Sequence, residues 1–450
     1  MLMFKLDKYS EVPLYRQLAD TIAEKIISGE IPPACKLPTI RALSKQLQIN
    51  NTTIVAAYKF LEQKRVVYAI RGSGTFAAKI SKPIDEVKPQ LQITHNFNDM
   101  TPDTAYFPTD KLRHAFDTVL MRDGAKAFDR PCWGGCESLK ESLCEFLKTA
   151  HVSASPQNIQ ILNTMYQGVE MTAEAIINHG DTVLVESPSS QEARAIFTSY
   201  GARIIEVPIV NGTLDLCRFE DLAKKYQPKL FFLTPTYQNP TGMCYNDKVQ
   251  EIVLGLAEVL NAYVLEADHL SDLYYGTLDT RPFPLKARDN NDRVIYVKSF
   301  DKVLSSGMPS FMCFPTALSS RFSDAEQAPG YIQRGFDWYI RSGGFAEHLL
   351  FLRKQYLRRY HKMQLAVETY LSPFASYIIP DGGLSFWITP HIFQDFSGKF
   401  LHRKILVTPG KIFTGGYDSS FRISFANMPE EKISEGIGVI ASIWGSMDYE

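Results

Sequence analysis

Hydrophobic residues recur at helical spacing near the start of the chain, and they predict three short helices followed by a hairpin. Apolar positions three or four residues apart line one face of each helix. These positions are Leu14, Leu18, Ile22, Ile26 and Ile27 in the first helix, Leu43 and Leu47 in the second, and Ile54, Tyr58 and Leu61 in the third. Gly29 ends the first helix. Two glycines in residues 71–76 permit a tight turn between two strands.

The second pattern begins near residue 106, where helical segments alternate with short β-rich runs. This alternation predicts an α/β domain with a mostly parallel sheet covered by helices. The predicted strands are Ile159–Leu162, Thr182–Glu186, Arg203–Pro208, Leu230–Leu233, Tyr263–Leu265 and Arg293–Val297. Ligands of such folds bind at the carboxyl ends of the strands. The polar residues that follow these strands are therefore the candidate site.

Residues 79–105 separate the two patterns. They are polar, contain several prolines and show no sustained hydrophobic period, as an interdomain linker does. The sequence thus predicts a small domain over residues 9–78, a linker over residues 79–105 and a large domain over residues 106–450.

Composition and charge narrow the class of protein. The 450 residues are 45% hydrophobic, and neither a signal-like start nor an 18-residue apolar stretch is present, which predicts a cytoplasmic protein. The seven cysteines are scattered, so we expect reduced thiols and no metal site. Residues 1–80 contain twelve Lys and Arg against six Asp and Glu, while the remainder has a net charge of −7. Such a basic end suits contact with phosphates.

The basic N-terminal domain has the order of a winged helix-turn-helix. Asn50 or Asn51 can cap the third helix, whose free N–H groups can approach a phosphate. Short polar residues at this position reach base edges in the major groove, and the turn between the strands presents its side chains to a phosphate or the minor groove. The candidate DNA-binding residues are Thr39, Arg41, Asn51, Thr52, Thr53, Arg71 and Ser73.

Residues 10–78 resemble the GntR family of bacterial regulators. The matching segments are Pro13-Leu14-Tyr15, Gln17-Leu18, Leu37-Pro38-Thr39 with Arg41 and Leu43, Asn51-Thr52-Thr53, Ala57-Tyr58 with Leu61, and Gly72-Ser73-Gly74-Thr75-Phe76. The resemblance implies sequence-specific binding of promoter DNA by a dimer that reads two half-sites. Asn51 departs from the arginine common in the family, which implies a different operator or a weaker phosphate contact. A winged helix used for protein contact is the alternative.

Lys302 follows the last predicted strand. A desolvated lysine there can form a Schiff base with an aldehyde cofactor, whereas a solvated lysine is the ordinary alternative. Asn239-Pro240-Thr241-Gly242 lies about sixty residues earlier, and Arg422-Ile423-Ser424-Phe425 lies near the C-terminus. With these motifs, residues 105–445 resemble the fold-type I aminotransferases, and the whole chain resembles the MocR subgroup of GntR regulators.

The resemblance implies pyridoxal 5'-phosphate as cofactor. In it, Lys302 forms the internal aldimine, Asn239 contacts the ring oxygen, and Ser299 holds the phosphate together with backbone amides near Met165 and Tyr166. Arg422 is the implied clamp for a ligand carboxylate, because its fork binds carboxylates in a bidentate manner. The implied cofactor residues are Lys302, Asn239, Ser299, Met165, Tyr166 and Asp268.

Five positions depart from the aminotransferase pattern. Ala267 stands where an aspartate contacts the ring nitrogen, and Asp268, one residue later on a strand, turns to the opposite face. The other four departures are His269 for tyrosine, Pro309 for a phosphate-binding arginine, Ser190 for a stacking aromatic and Thr164 for glycine.

Three functions are compatible with the sequence. The first is a homodimeric transcriptional regulator that senses a small amine or amino acid through pyridoxal phosphate on Lys302. The second is a working aminotransferase with a DNA-binding appendage. The third is a regulator whose body has lost the cofactor and only dimerises. The missing ring-nitrogen carboxylate counts against the second, because an unprotonated pyridine is a poor electron sink.

Overall fold

The computed structural model describes residues 13–27, 31, 35–63, 66–70, 74–77, 93–131, 133–210, 212–277, 281–322, 327–416 and 418–445. It divides the chain into two compact units, Met1–Leu91 and Gln92–Glu450, here called the head and the body. Predicted features at Gly29, Arg71 and Ser73 lie outside the described residues.

The head contains three helices and a two-stranded antiparallel sheet. The elements are α1 Leu14–Ile27, α2 Ile40–Leu47, α3 Asn51–Gln63, β1 Val67–Ile70 and β2 Gly74–Ala77. Seven of the predicted inward positions are buried in its core: Leu18, Ile22, Ile26, Leu43, Ile54, Tyr58 and Leu61. The helical period of the sequence thus led to the correct buried faces.

The body is built on an eight-stranded sheet. Its strands are β4 Ile159–Leu162, β5 Thr182–Ser187, β6 Arg203–Val210, β7 Thr213–Leu214, β8 Leu230–Leu233, β9 Tyr263–Asp268, β10 Val294–Lys298 and β11 Ser310–Cys313. The spatial order is β4-β11-β10-β9-β8-β5-β6-β7. The five strands β10, β9, β8, β5 and β6 run parallel, and the edges are antiparallel. The predicted mostly parallel sheet is confirmed.

Both faces of this sheet are buried. Val264 and Val294 belong to one hydrophobic cluster, whereas their chain neighbours Leu265 and Ile295 belong to another. The helices of this part of the body are α4 Thr109–Asp123, α5 Glu137–Lys148, α6 Met165–Ile176, α7 Gln191–Ser199, α8 Leu216–Tyr226, α9 Asp247–Val259, α10 Gly330–Arg341 and α11 Gly344–Tyr370. Burial on both faces explains why the strands are continuously apolar in sequence.

A smaller antiparallel sheet follows α11. Its strands are β12 Ala375–Ile378, β13 Ser385–Pro390, β15 Thr408–Pro409 and β16 Phe421–Ser424, in the order β12-β13-β16-β15. Three helices accompany it: α12 Ser397–His402, α13 Lys411–Thr414 and α14 Glu430–Gly445. No helix among the described residues is both long and apolar enough to cross a membrane.

The predicted linker of residues 79–105 ends earlier in the structure than its composition indicated. Strand β3, His95–Asn96, pairs in parallel with β14, Ile405–Leu406, and Phe97 is fully buried in the core of the body. Residues 93–105 are therefore part of the body. A polar segment with one buried aromatic gives no periodic signal, because its pairing partner lies about 310 residues away in the chain.

Candidate functional sites

The starts of helices α2 and α3 carry the polar residues of the head. Thr39 caps α2, because its Oγ1 accepts a hydrogen bond from the Ala42 N–H at 3.2 Å. Asn50 caps α3 by accepting a hydrogen bond from the Thr52 N–H at 3.3 Å. Of the predicted DNA-binding residues, the structure describes Thr39, Arg41, Asn51 and Thr52 as exposed and Thr53 as partly exposed.

The start of α2 is joined to the middle of α3. The Tyr58 hydroxyl on α3 donates a hydrogen bond to the Pro38 carbonyl before α2 at 2.7 Å. Burial raises the pKa of Tyr58 to about 12, so this hydroxyl keeps its proton at neutral pH. The head therefore holds two helix N-termini, which attract anions, in a fixed relation.

Arg422 on β16 is a buried arginine whose hydrogen-bond partners are neutral. Its side chain is only 8% exposed, and its Nη1 donates a hydrogen bond to Asn239 Oδ1 at 2.6 Å. Its Nη2 donates to Thr408 Oγ1 at 3.1 Å, and the guanidinium lies 5.2 Å from the centre of the Phe413 ring. No described carboxylate pairs with it, its Nε finds no acceptor among the described residues, and burial lowers its pKa to about 10. A buried cation of this kind is suited to an anionic ligand.

Asn239 is positioned by a hydrogen-bonded loop beneath it. The Gln238 side-chain amide donates to the Pro188 carbonyl at 2.7 Å and to Glu186 Oε2 at 3.3 Å, while its oxygen accepts from the Thr241 hydroxyl at 2.6 Å. Glu186 is fully buried and accepts a hydrogen bond from the Tyr245 hydroxyl at 2.5 Å. Burial raises the pKa of Glu186 to about 7.

Lys302 follows β10 and lies beside an aspartate. Its Nζ is 2.8 Å from Asp301 Oδ2, and its side chain is 21% exposed. The Ser299 hydroxyl donates to Asp301 Oδ1 at 2.6 Å, and His269 Nδ1 lies 3.9 Å from the same oxygen. Burial acts to raise the pKa of Asp301, but the contacts with His269 and Lys302 outweigh it and hold that pKa well below its usual range. Asp301 is therefore a carboxylate.

Lys302 and Arg422 approach the same short segment. Arg422 Nη2 lies 3.5 Å from the carbonyl oxygen of Asn98. Burial acts to raise the pKa of the next residue, Asp99, but hydrogen bonds and the charge of Lys302 together lower it. The structure thus brings Asn239, Arg422 and Asn98, which are far apart in sequence, together in the body.

The start of α7 places an acidic residue, Glu192, near the start of α6. The Tyr166 hydroxyl is 3.1 Å from Ser190 Oγ, which in turn lies 3.1 Å from Glu192 Oε2. Burial raises the pKa of Tyr166, and the charges of Glu192 and Asp301 add to the effect. Met165, the first residue of α6, is buried. Both carboxylates therefore act on the region predicted to hold a phosphate.

Although the carbonyl oxygen of Asp268 accepts a hydrogen bond from the Ser299 N–H at 3.0 Å, the Asp268 side chain is held by other groups. Its Oδ2 accepts a hydrogen bond from the Ser271 hydroxyl at 2.5 Å and lies 3.2 Å from Lys298 Nζ, and the Tyr296 hydroxyl also donates to it. Ala267 packs instead among the apolar side chains of the cluster that contains Met165. Consecutive strand residues face opposite sides, so Asp268 does not substitute for the carboxylate missing at Ala267.

These residues do not fit pyridoxal phosphate, which the resemblance implies. A phosphate dianion needs cationic side chains or free N–H groups. Pro309 offers no side-chain donor, and Asp301 and Glu192 are negative, which leaves the start of α6 as the matching feature. At an effective dielectric constant of about 20, two unit charges about 5 Å apart repel by about 3 kcal/mol. The residues around Lys302 are therefore poorly suited to hold the phosphate of this cofactor.

Sequence reasoning missed several residues of the site. Asn98 and Asp99 fell within the predicted linker, and Thr408 belongs to a two-residue strand without a hydrophobic period. Asp301 could have been predicted from the sequence, since it is a charged residue directly before Lys302. Lys298 gave a weaker signal, because a lysine at a strand end is usually solvated.

Two protein families match the chain. "Bacterial regulatory proteins, gntR family" matches residues 14–77, which covers the head. "Aminotransferase class I and II" matches residues 90–320, more than half of the chain. The second match begins near residue 90 and thus includes residues 93–105.

Curated relatives match most of the length of this chain. The chain is 27% identical over 469 residues to the "Uncharacterized HTH-type transcriptional regulator YdfD" of Bacillus subtilis, with 96% of each chain covered. It is 24% identical over 393 residues to the "Probable rhizopine catabolism regulatory protein MocR" of Rhizobium meliloti, which covers 79% of this chain and 78% of that protein.

Solved aminotransferases share the fold of the body. A multiple substrate aminotransferase from Thermococcus profundus superimposes with a TM-score of 0.74 at 22% identity, covering 82% of this chain and 97% of that one. The α-aminoadipate aminotransferase LysN from Thermus thermophilus gives a TM-score of 0.72 at 23% identity, covering 80% and 94%.

Proposed function

We propose that this chain, which belongs to the MocR subgroup of GntR-family regulators, is a ligand-responsive transcriptional regulator. Its body belongs to the aminotransferase class I and II family. Its head binds promoter DNA, and its body senses a small molecule that carries a carboxylate, an amino acid being the simplest case. The observation that carries the sensing role is Arg422, a buried guanidinium held by Asn239 without a described acidic partner.

DNA binding is proposed to use the helix starts of the head. Arg41 would contact a phosphate, whereas Asn51 and Thr53 would influence which sequence is preferred. Arg71 and Ser73 complete the predicted set from outside the described residues. Since the target is promoter DNA, we place the protein in the cytoplasm.

A salt titration tests the role of Arg41. Duplexes selected from a random pool by the full-length protein serve as the probe. Arg41→Ala should weaken binding to all duplexes and flatten the salt slope by about one unit, because one phosphate contact is lost. Arg41→Lys keeps the charge and should retain the slope. An unchanged slope in Arg41→Ala would exclude the contact.

The sensing role is tested by the response of DNA binding to ligands. The twenty amino acids are added singly while fluorescence anisotropy reports DNA affinity of the full-length protein. At least one should change the affinity of the wild type, and Arg422→Gln should abolish that change. Arg218→Gln, on the exposed surface of α8, is the matched control and should respond normally. An equal response in Arg422→Gln, or no response to any amino acid, would refute the proposal.

We further propose that the protein forms a homodimer through its body. Fold-type I enzymes, which the body resembles, build their sites at a subunit interface, and operators with two half-sites require two heads. Light scattering should give the mass of two chains over a wide concentration range. A monomer mass at all concentrations would contradict this part of the proposal.

The proposal assigns ligand binding and no transamination to the body. Ala267 provides no carboxylate for a pyridine nitrogen, and Asp268 is held by Lys298 on the other face of the strand. Sensing then acts through unequal affinity of the ligand for two states of the regulator. Steady formation of a keto acid from an amino acid would favour the enzyme instead.

A further inference from the structure

We infer that a cavity beside Asp272 is a second ligand-binding site of the body, and that it takes an organic anion with an apolar body, such as an aromatic carboxylate. The cavity lies between α5, the loop after β9 and the junction of α10 and α11, and its volume is about 960 Å³. Small-molecule sites usually enclose roughly 300–1,000 Å³, so this cavity can hold a molecule of several rings. None of the described residues that line it belongs to the sites of Arg422 and Lys302.

Apolar side chains form most of the wall of this cavity. Phe146 comes from α5, Ile340 from α10, and Phe345, Leu349 and Leu350 from α11. The Phe146 and Phe345 rings are 5.8 Å apart, and both residues pack into the core of the body. Leu350 is 64% exposed. An apolar ligand would therefore remove hydrophobic surface from water, which favours binding.

Two arginines contact the same tyrosine ring at one end of the cavity. The guanidinium of Arg353 lies 4.0 Å from the centre of the Tyr274 ring, and that of Arg281 lies 5.4 Å from it. The Arg353 Nε donates a hydrogen bond to the Asp272 carbonyl oxygen at 2.7 Å, and no described carboxylate forms an ion pair with Arg353. A guanidinium without an ionic partner at the wall of an apolar cavity is suited to a carboxylate.

The Arg281 side chain leaves a buried donor unused at the same end. It is 9% exposed, its Nη1 donates to the Thr149 carbonyl at 3.3 Å, and its Nε finds no acceptor among the described residues. Its Nη2 lies 4.0 Å from Asp272 Oδ1, which is too far for a hydrogen bond, and that oxygen likewise lacks a donor among the described residues. Buried polar atoms are ordinarily hydrogen-bonded, so these two atoms mark the place of a polar group supplied by a ligand.

The charges around Tyr274 favour an anion over a cation. Two carboxylates, Asp268 and Asp272, face Lys298, whose Nζ lies 3.2 Å from Asp268 Oδ2 and 2.9 Å from Asp272 Oδ2. Together with Arg281 and Arg353 there are three cations for these two carboxylates. The excess is one positive charge, which stabilises an added carboxylate.

The other charged side chains of the wall have partners within the chain. Arg341 Nε lies 2.8 Å from Asp337 Oδ1, and its Nη2 lies 3.1 Å from Glu141 Oε2. Glu145 Oε1 lies 2.6 Å from Lys148 Nζ. The Glu141 and Glu145 side chains are 57% and 71% exposed, so solvent and salt screen them. No histidine is among the described residues that line the cavity. The buried charges near Tyr274 therefore decide the class of ligand.

Calorimetry on the full-length protein tests this ligand class. Naphthoate is a rigid aromatic carboxylate, decanoate is a flexible aliphatic one, and naphthalenemethanol has the aromatic body of naphthoate without the charge. We expect saturable binding of naphthoate that is at least about tenfold tighter than that of naphthalenemethanol, because the alcohol lacks an ionic contact with the arginines. Tighter binding of decanoate would support the same class with an aliphatic body.

Matched variants on α11 test whether binding occurs in this cavity. Arg353→Gln should weaken naphthoate binding by about tenfold, since one ionic contact is lost. Arg358→Gln, exposed on the same helix, is the control and should bind normally. Ala346 lines the cavity from an exposed position, so Ala346→Trp should fill the cavity and abolish binding without a loss of thermal stability. Leu365→Trp, which is also exposed on α11, is its control.

Several results would overturn the inference. These are no binding of either carboxylate, equal binding of naphthalenemethanol, and normal binding in Arg353→Gln or in Ala346→Trp. If neither carboxylate binds and Ala346→Trp lowers the mass in light scattering from two chains to one, the cavity is instead covered by a second copy of the chain. Arg422→Gln should bind naphthoate normally, so this test is independent of the sensing role proposed for Arg422.

Discussion

Replacing Lys298 by methionine removes the cation from a buried ionic cluster that the sequence did not reveal. Lys298 is 1% exposed, and its Nζ lies 3.2 Å from Asp268 Oδ2 and 2.9 Å from Asp272 Oδ2. Methionine preserves most of the side-chain volume but removes the cation that contacts both carboxylates, which leaves Asp268 with hydroxyl donors and Asp272 at 4.0 Å from Arg281. Breaking a buried pair in this way costs about 3–5 kcal/mol, so we expect a loss of that size in the stability of the body.

The loss should depend on pH. Burial acts to raise the pKa of Asp268, but Lys298 and hydrogen bonds lower it from 3.8 to about 2. At 1.36 kcal/mol for each pKa unit, the ionised Asp268 contributes about 2 kcal/mol to folding. A lowered carboxyl pKa gives stability that is complete above the unfolded value and is lost as pH falls toward the folded value. The difference between the variant and the wild type should therefore shrink below about pH 4.

Urea denaturation followed by tryptophan fluorescence measures this effect in the body alone. The four tryptophans of the chain are Trp133, Trp338, Trp387 and Trp444, and none is in the head. Lys248→Met, on the exposed surface of α9, is the matched control and should change stability by less than about 0.5 kcal/mol. A Lys298→Met protein within about 1 kcal/mol of the wild type at neutral pH would refute the reasoning.

Three further predictions follow from other residues. Glu186→Gln should remove a pH dependence of the free energy of unfolding. Because the pKa of Glu186 is raised from 4.5 to about 7, its contribution to wild-type stability is complete below pH 4.5 and is lost as pH rises through 7. Urea denaturation should show a loss of about 3 kcal/mol in the wild type over this range. Asn239→Asp should place a carboxylate beside Arg422 and abolish amino-acid binding in calorimetry, with the thermal midpoint unchanged or higher; retained binding would contradict the role of Arg422. Asn51→Arg should tighten DNA binding and steepen the salt slope by about one unit, and an unchanged slope would show that this position does not meet a phosphate.

The local pattern of hydrophobic residues was sufficient to predict most of the helices and strands. The helical period placed Leu18, Leu43 and Ile54 in the core of the head, and each of the six predicted strands is present, four of them with ends shifted by one to three residues. Buried strands and amphipathic helices are recognisable because their hydrophobic period depends on nearby residues only. The motifs around Lys302, Asn239 and Arg422 were recognised by their resemblance to aminotransferases, since each is a short contiguous stretch of sequence.

For residues 93–105, the prediction of a linker from local sequence was wrong. Their polar composition resembles a linker, yet Phe97 is buried and His95–Asn96 pairs with a strand more than 300 residues later. Pairing between such distant segments leaves no periodic trace in either one. The contribution of Asn98 and Asp99 to the candidate site was missed as a consequence.

The sequence by itself determined the two-part organisation, the class of each part and the departures at Ala267 and Pro309, because all of these depend on residue type and local order. Only the tertiary structure decided which charged side chains contact one another. It paired Asp268 with Lys298 on one face of the sheet, set Asp301 against Lys302, and left buried Arg422 with Asn239 as its neutral partner. The energy of a charge depends on its burial and on the neighbours within a few ångströms, and those neighbours come from distant parts of the chain.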